Sequence, residues 1–207
     1  MYLRQWRRIS VNGDSMDMYS AVREELERSL SKPRRDHTLA AQEICCALAR
    51  RFSLDEEAAW VAAMWHDTSR EWSRDQLVSY AAEHALEITA LEKRVPMLLH
   101  GAAAAHRLVY ELGYEHAGAW AAVRWHTTGH PDMGPLGYAL YTADFLEPLR
   151  THITPEQRDR LLSLDSLELM MLEIYRLQFS YFTHEDISPE PASLQLYHRL
   201  RRVCEAQ

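Results

Sequence analysis

Helix-start signals recur at short intervals along this chain and leave little room for a sheet. Ser53-Leu54-Asp55-Glu56 and Ser73-Arg74-Asp75-Gln76 both read as capping boxes. In such a box an N-cap hydroxyl and an acid or amide three residues later satisfy orphan backbone donors at the helix start. Thr89-Ala90-Leu91-Glu92 opens a short turn that Pro96 interrupts, and Thr154-Pro155-Glu156 places proline at a first helical position, where its missing N–H costs nothing. With the apolar period, these signals predict helices over about 19–31, 36–52 (Asp36 as N-cap), from the Ser53 box to Trp65 or His66, 74–86, 97–112, 115–126, 136–147, 154–182 (one helix or a pair) and 190–204. Gly113 and Pro148 act as stops, and Thr127 to Pro135 is a loop. The chain has 25 Ala and 27 Leu against 8 Val and 6 Ile. Ala and Leu are the strongest helix formers, whereas β-branched residues favour strands. The expected fold is therefore an all-α helical bundle, with one domain over residues 18–207.

Charge excludes other classes. Lys and Arg number 23 against 30 Asp and Glu, a net charge of −7, so the basic footprint of a nucleic-acid binder is missing. No apolar run approaches the length of a membrane span. Residues 1–17 show no helical period, and Arg4, Arg7 and Arg8 precede no apolar stretch. They are expected to form a poorly ordered leader and not a secretory signal, with Met16 or Met18 as alternative starts. Three cysteines, two of them adjacent at Cys45 and Cys46, point to a reduced, cytoplasmic protein.

The chemistry lies in where the histidines fall. His37, Ala41, Ile44 and Leu48 share one helical stripe. His66, with Asp67 next to it, closes the face of Ala59 and Ala62. His100 begins the face of Ala104 and Leu108, His126 ends that of Ala119, Ala122 and Val123, and Asp144 that of Leu136 and Leu140. A lone histidine on such a face is most often a hydrogen-bonded core residue. His84, His106, His116, His152, His184 and His198 have no supporting pattern and read as surface or structural. The ordered set is different. Two buried carboxylates are costly, and two that converge with four imidazoles are relieved by a divalent cation such as Fe, Mn, Co or Zn. Trp60, Trp65, Trp72, Trp120 and Trp125 read chiefly as core, with one of them able to stack on an adenine, and Arg199, Arg201 and Arg202 as a solvated helix face. P-loop, nucleophile-elbow and Cys-x-x-Cys patterns are missing.

The order His…His-Asp…Asp resembles the HD-domain phosphohydrolases, and the motifs are most similar to the YqeK-type members. The matching stretches are Arg35-Asp36-His37-Thr38-Leu39, Met64-Trp65-His66-Asp67-Thr68-Ser69-Arg70-Glu71, Leu99-His100-Gly101, Trp125-His126-Thr127-Thr128-Gly129 and Ala143-Asp144-Phe145-Leu146-Glu147-Pro148. Ile187-Ser188-Pro189, before a helix with Tyr197, is a weaker match. The resemblance covers about residues 19–202 and implies an all-α fold. It also implies an iron-dependent hydrolase that splits diadenosine tetraphosphate symmetrically into two ADP, a metal-activated water attacking phosphorus. Carried over, His37, His66, Asp67 and Asp144 are metal ligands, and His100 and His126 complete a second site with Asp67 as bridge. Arg70 and Arg150 are then phosphate contacts. Two positions depart from the family pattern: Arg70 stands where Lys is usual, and His130 where Arg is usual. The role of His130 is left open between phosphate, metal and water, and either His130 or His100 is a candidate for proton transfer. The rivals are another HD phosphohydrolase acting on mono- or deoxynucleotides and a non-catalytic nucleotide-binding module. A homodimer through the C-terminal helices is a further expectation.

Overall fold

The computed structural model describes residues 18–185 and 188–206. The expected leader and Ile187 lie outside them. Among the described residues there are eleven α-helices, one short 3₁₀ turn at Pro96–Leu98 and no strand. The helices are α1 (Met18–Ser29), α2 (Lys32–Arg51), α3 (Glu56–Trp65), α4 (Arg74–Glu83), α5 (Ala90–Arg94), α6 (Leu99–Tyr110), α7 (Ala117–Trp125), α8 (Gly134–Leu146), α9 (Pro155–Leu162), α10 (Leu167–His184) and α11 (Pro191–Glu205). The 154–182 stretch is thus a pair.

Two start signals act differently from expectation. α2 begins one turn earlier, with Ser31 as N-cap and proline in the first turn. Asp36 then lies inside the helix, paired with Lys32 at 2.6 Å. α3 is capped by Asp55, which accepts from the Ala58 N–H, while Ser53 takes a positive φ of 55°. The two residues compete for one cap, and the carboxylate one position before the helix has the better reach. The box at Ser73 forms as read, and Thr89 and Thr154 also head capping boxes, with Glu92 and Gln157.

α2 packs on α3 and α8, α6 on α7, and α7 on α8, while α10 covers α8 and α1 lies over α3. Small residues permit these close approaches. Ala58, Ala59, Ala62 and Ala63 of α3 are all buried. A methyl group built on Gly101 would meet the backbone carbonyls of Arg124 at 3.0 Å and Val123 at 3.3 Å. α6 and α7 therefore approach backbone to backbone at this point, which sets His100 against His126. Gly129 is tighter still, with a φ of 74° and the Tyr175 hydroxyl where a side chain would begin. Tyr175 of α10 and Ser193 of α11 both donate to the Thr128 carbonyl, so the last helices brace the loop after α7.

Arg107 of α6 is buried and ties three segments together. It pairs with Glu25 of α1, donates to the Thr68 carbonyl and Ser69 Oγ at 3.3 Å each, and bonds Glu111 at 2.9 Å. Burial works to keep Glu25 neutral, but Arg107, Ser29 and Arg28 outweigh it and hold its carboxyl below the usual value of 4.5. Glu25→Ala leaves a buried guanidinium without its main partner and is expected to cost about 3–5 kcal/mol in urea denaturation at pH 7. Because the folded-state value is the lower one, the pair stabilises fully above 4.5 and its contribution is lost as pH falls through the folded value. The gap between wild type and variant therefore narrows in acid; an unchanged gap at pH 3 and pH 7 would contradict this reading.

Candidate metal centre

Four helix segments bring the site together. His37 comes from the second turn of α2, His66 and Asp67 from the end of α3, His100 from the start of α6 and His126 from the end of α7. All five are buried, and Asp144, near the end of α8, lies beside them. Asp67 is central. Its Oδ2 is 3.7 Å from Nε2 of both His37 and His66, and its Oδ1 is 3.4 Å from His100 Nε2 and 3.5 Å from His126 Nε2. The donor atoms form two groups suited to a metal, His37–His66–Asp67 and Asp67–His100–His126, with Asp67 common to both.

The tautomers follow from what the other ring nitrogens touch. His66, His100 and His126 each place Nδ1 on the carbonyl of the residue three positions earlier, at 2.7, 2.6 and 2.8 Å. A carbonyl only accepts, so each Nδ1 carries the proton and each neutral ring presents a bare Nε2. His37 directs Nδ1 to the Glu147 carboxylate at 3.0 Å, the arrangement that orients metal-bound imidazoles.

This donor set fits a cation. His100 Nε2 and His126 Nε2 face each other at 3.1 Å, two lone pairs that repel unless something positive lies beside them. The Nε2 atom of His66 is buried without a hydrogen-bond partner, and that of His37 lies 3.1 Å from Asp144 Oδ1. At His66, His100 and the two aspartates, protonation is also arranged as a metal requires. Burial pushes His66 down to about 4, and burial likewise lowers His100. Burial opposes charge on Asp67 and Asp144, but the surrounding imidazoles, and Arg150 at Asp144, hold both well below the usual carboxylate range. Burial also opposes charge on His37, yet the carboxylates of Asp144 and Glu147 outweigh it and raise its value.

A cavity of about 320 Å³ opens above the cluster, lined by Asp67, His100, His126 and Asp144 together with Arg34, Arg70 and Arg150. Arg150 also bonds the Asp144 carboxylate. Of the nine positions expected from the sequence to serve as ligands or phosphate contacts, eight gather at the cluster or its cavity, and one does not: His130 is not among the residues that line the cavity. It stacks on Trp125 at 4.3 Å, and its Nδ1 accepts from the Asp132 N–H at 3.1 Å. A role at metal or phosphate is not served from there. Two residues escaped the sequence reading. Arg34 lies 3.4 Å from Asp67 Oδ2, and Glu147 holds His37. Arg34 stands one helical turn before His37, a spacing that would have put it on the same face.

The HD domain family model matches residues 34–161. The chain belongs to the HD domain family. It is 29% identical over 125 residues to a symmetrical bis(5'-nucleosyl)-tetraphosphatase of Bacillus subtilis, a match covering 60% of this chain and 67% of that protein. A protein of the same name from Halalkalibacterium halodurans is 30% identical over 121 residues, covering 58% and 64%. The matches thus span about two thirds of these relatives. A crystal structure of an HD superfamily hydrolase from Clostridium acetobutylicum superposes with a TM-score of 0.80 over 89% of this chain and 97% of that one, at 22% identity. The HD fold is therefore shared at low sequence similarity.

In this HD domain, Glu147→Gln keeps the shape beside His37 but removes the charged acceptor. The expected outcome is metal affinity about 10–100-fold weaker in competition with a chelator; affinity equal to wild type would show that Glu147 does not support the centre.

Proposed function

We propose that this HD domain is a metal-dependent nucleotide phosphohydrolase that cleaves diadenosine tetraphosphate symmetrically into two ADP. The observation that carries the reading is the joint placement of two donor groups sharing Asp67 and three arginines around one cavity. The names of the Bacillus and Halalkalibacterium relatives support the substrate. His37, His66, Asp67 and Asp144 would hold one ion, and Asp67, His100 and His126 a second. Iron, with manganese or cobalt as substitutes, suits four imidazoles and two carboxylates. When bound, such a pair supplies Lewis acidity at phosphoryl oxygens and lowers the pKa of water.

The chain supplies the rest. Arg34, Arg70 and Arg150 line the cavity and present guanidinium forks to the non-bridging oxygens of a polyphosphate. Arg150 is held by Asp144, so one phosphate contact is fixed relative to the ligands. Leu98 and Phe145 give the cavity an apolar side, where a nucleoside can rest away from water. An acidic protein can bind a polyanion here because the local charges of arginines and cations outweigh a net −7 spread over the surface. One hydrophobic core running from Val22 to Leu200 supports reading residues 18–207 as a single domain. Three unpaired cysteines support a reduced, cytoplasmic setting, and no described helix is long and apolar enough to cross a membrane.

Incubation of the metal-loaded protein with diadenosine tetraphosphate, followed by chromatography, is expected to give ADP as the only product. ATP with AMP would refute symmetrical cleavage, and absence of turnover would leave the chain a nucleotide-binding module. Arg34→Met is expected to lower kcat/KM by about 10-fold or more through loss of a charge-assisted phosphate contact; unchanged kinetics would remove Arg34 from the site.

A further inference from the structure

A second cavity, of about 490 Å³, lies between the end of α4, the loop that follows it, α6 and α7, and it shares no lining residue with the arginine-lined one. Its walls are rings. His84, His106 and Tyr110 form a stack along one side, with centroids 4.6 Å apart for the first pair and 4.1 Å, nearly parallel, for the second. Trp120 and Trp125 of α7 also line it. Tyr110 is 49% exposed and Trp120 is 39% exposed. Tyr110, with one face stacked on His106, and Trp120 thus border one concavity from two different helices, a ring-rich wall that suits a flat ligand.

The electrostatics narrow the class. Arg124 lines the cavity, but its guanidinium is taken up by both Glu92 oxygens, at 2.6 and 3.0 Å, and by the Glu87 carbonyl at 3.0 Å. Burial and the neighbouring His84 push His106 down to about 4, so that ring adds no charge at neutral pH. Glu87, an exposed residue, also lines the cavity. Nothing here matches the three arginines of the other cavity, so a phosphate finds no uncommitted guanidinium. A carboxylate, however, accepts well from a ribose diol. We propose that this cavity binds an uncharged nucleoside, its base against the ring wall and its ribose toward Glu87, at a site separate from the metal cavity. It adjoins the metal centre through Trp125, the residue before His126.

Isothermal titration of the metal-loaded protein with adenosine tests this, in the wild type, in Trp120→Leu, in Tyr110→Leu and in Arg150→Met. Saturable binding is expected in the wild type, weakened about tenfold or more in both ring variants and unchanged in Arg150→Met. Having the two ring variants on different helices guards against one of them misfolding. The proposal is overturned by no saturable heat at millimolar adenosine, by full affinity in both ring variants, or by weakening in Arg150→Met, which would place the nucleoside in the metal cavity. AMP binding more tightly than adenosine in a Trp120-dependent way would also overturn it. None of these outcomes depends on whether diadenosine tetraphosphate is turned over.

Discussion

A buried, ionised carboxylate surrounded by imidazoles dominates this molecule. Asp67 is almost wholly out of water, with four histidine Nε2 atoms at 3.4–3.7 Å from its two oxygens. In a dry interior such a charge is prohibitive without compensation. The imidazoles and Arg34 hold it charged, yet the bare nitrogens of neutral rings repel one another where His100 meets His126. A divalent cation among these donors would relieve both problems together. On the proposed reading the same guest would serve stability and function, and its binding would couple to folding.

The surrounding fold is arranged to keep those nitrogens bare and close. Three of the histidines sit at a helix end or beginning where a carbonyl three residues back fixes Nδ1. Gly101 lets α6 and α7 touch backbone to backbone, and Arg107 anchors the turn after Asp67 to α1. The C-terminal helices reach the loop after His126 through Tyr175 and Ser193. Elements remote in sequence thus hold the segments that carry the candidate ligands.

Much of this was legible in the sequence, for physical reasons. The candidate ligands begin or end apolar helical faces, so their burial could be read from a 3.6-residue period, and proline and capping boxes marked most helix starts. What escaped was settled by competition or by contacts distant in the chain. Ser53 and Asp55 were both good caps, and only the backbone path decides between them. Glu147 reveals its role only once α2 and α8 pack, 110 residues apart. His130 has the right neighbours in sequence, but the ring of Trp125 captures it. The aromatic cavity of α6 and α7 was hidden among tryptophans that read as core, because a stripe of rings looks the same whether it faces inward or lines a cleft.

The central claim, that Asp67 bridges two metal positions, is tested most directly by anomalous diffraction from crystals of protein loaded with its metal. The account predicts two peaks, one beside Asp67 Oδ2 with His37 and His66, the other beside Oδ1 with His100 and His126. A single peak that does not involve Asp67, or imidazoles satisfied by water and protein alone, would contradict it.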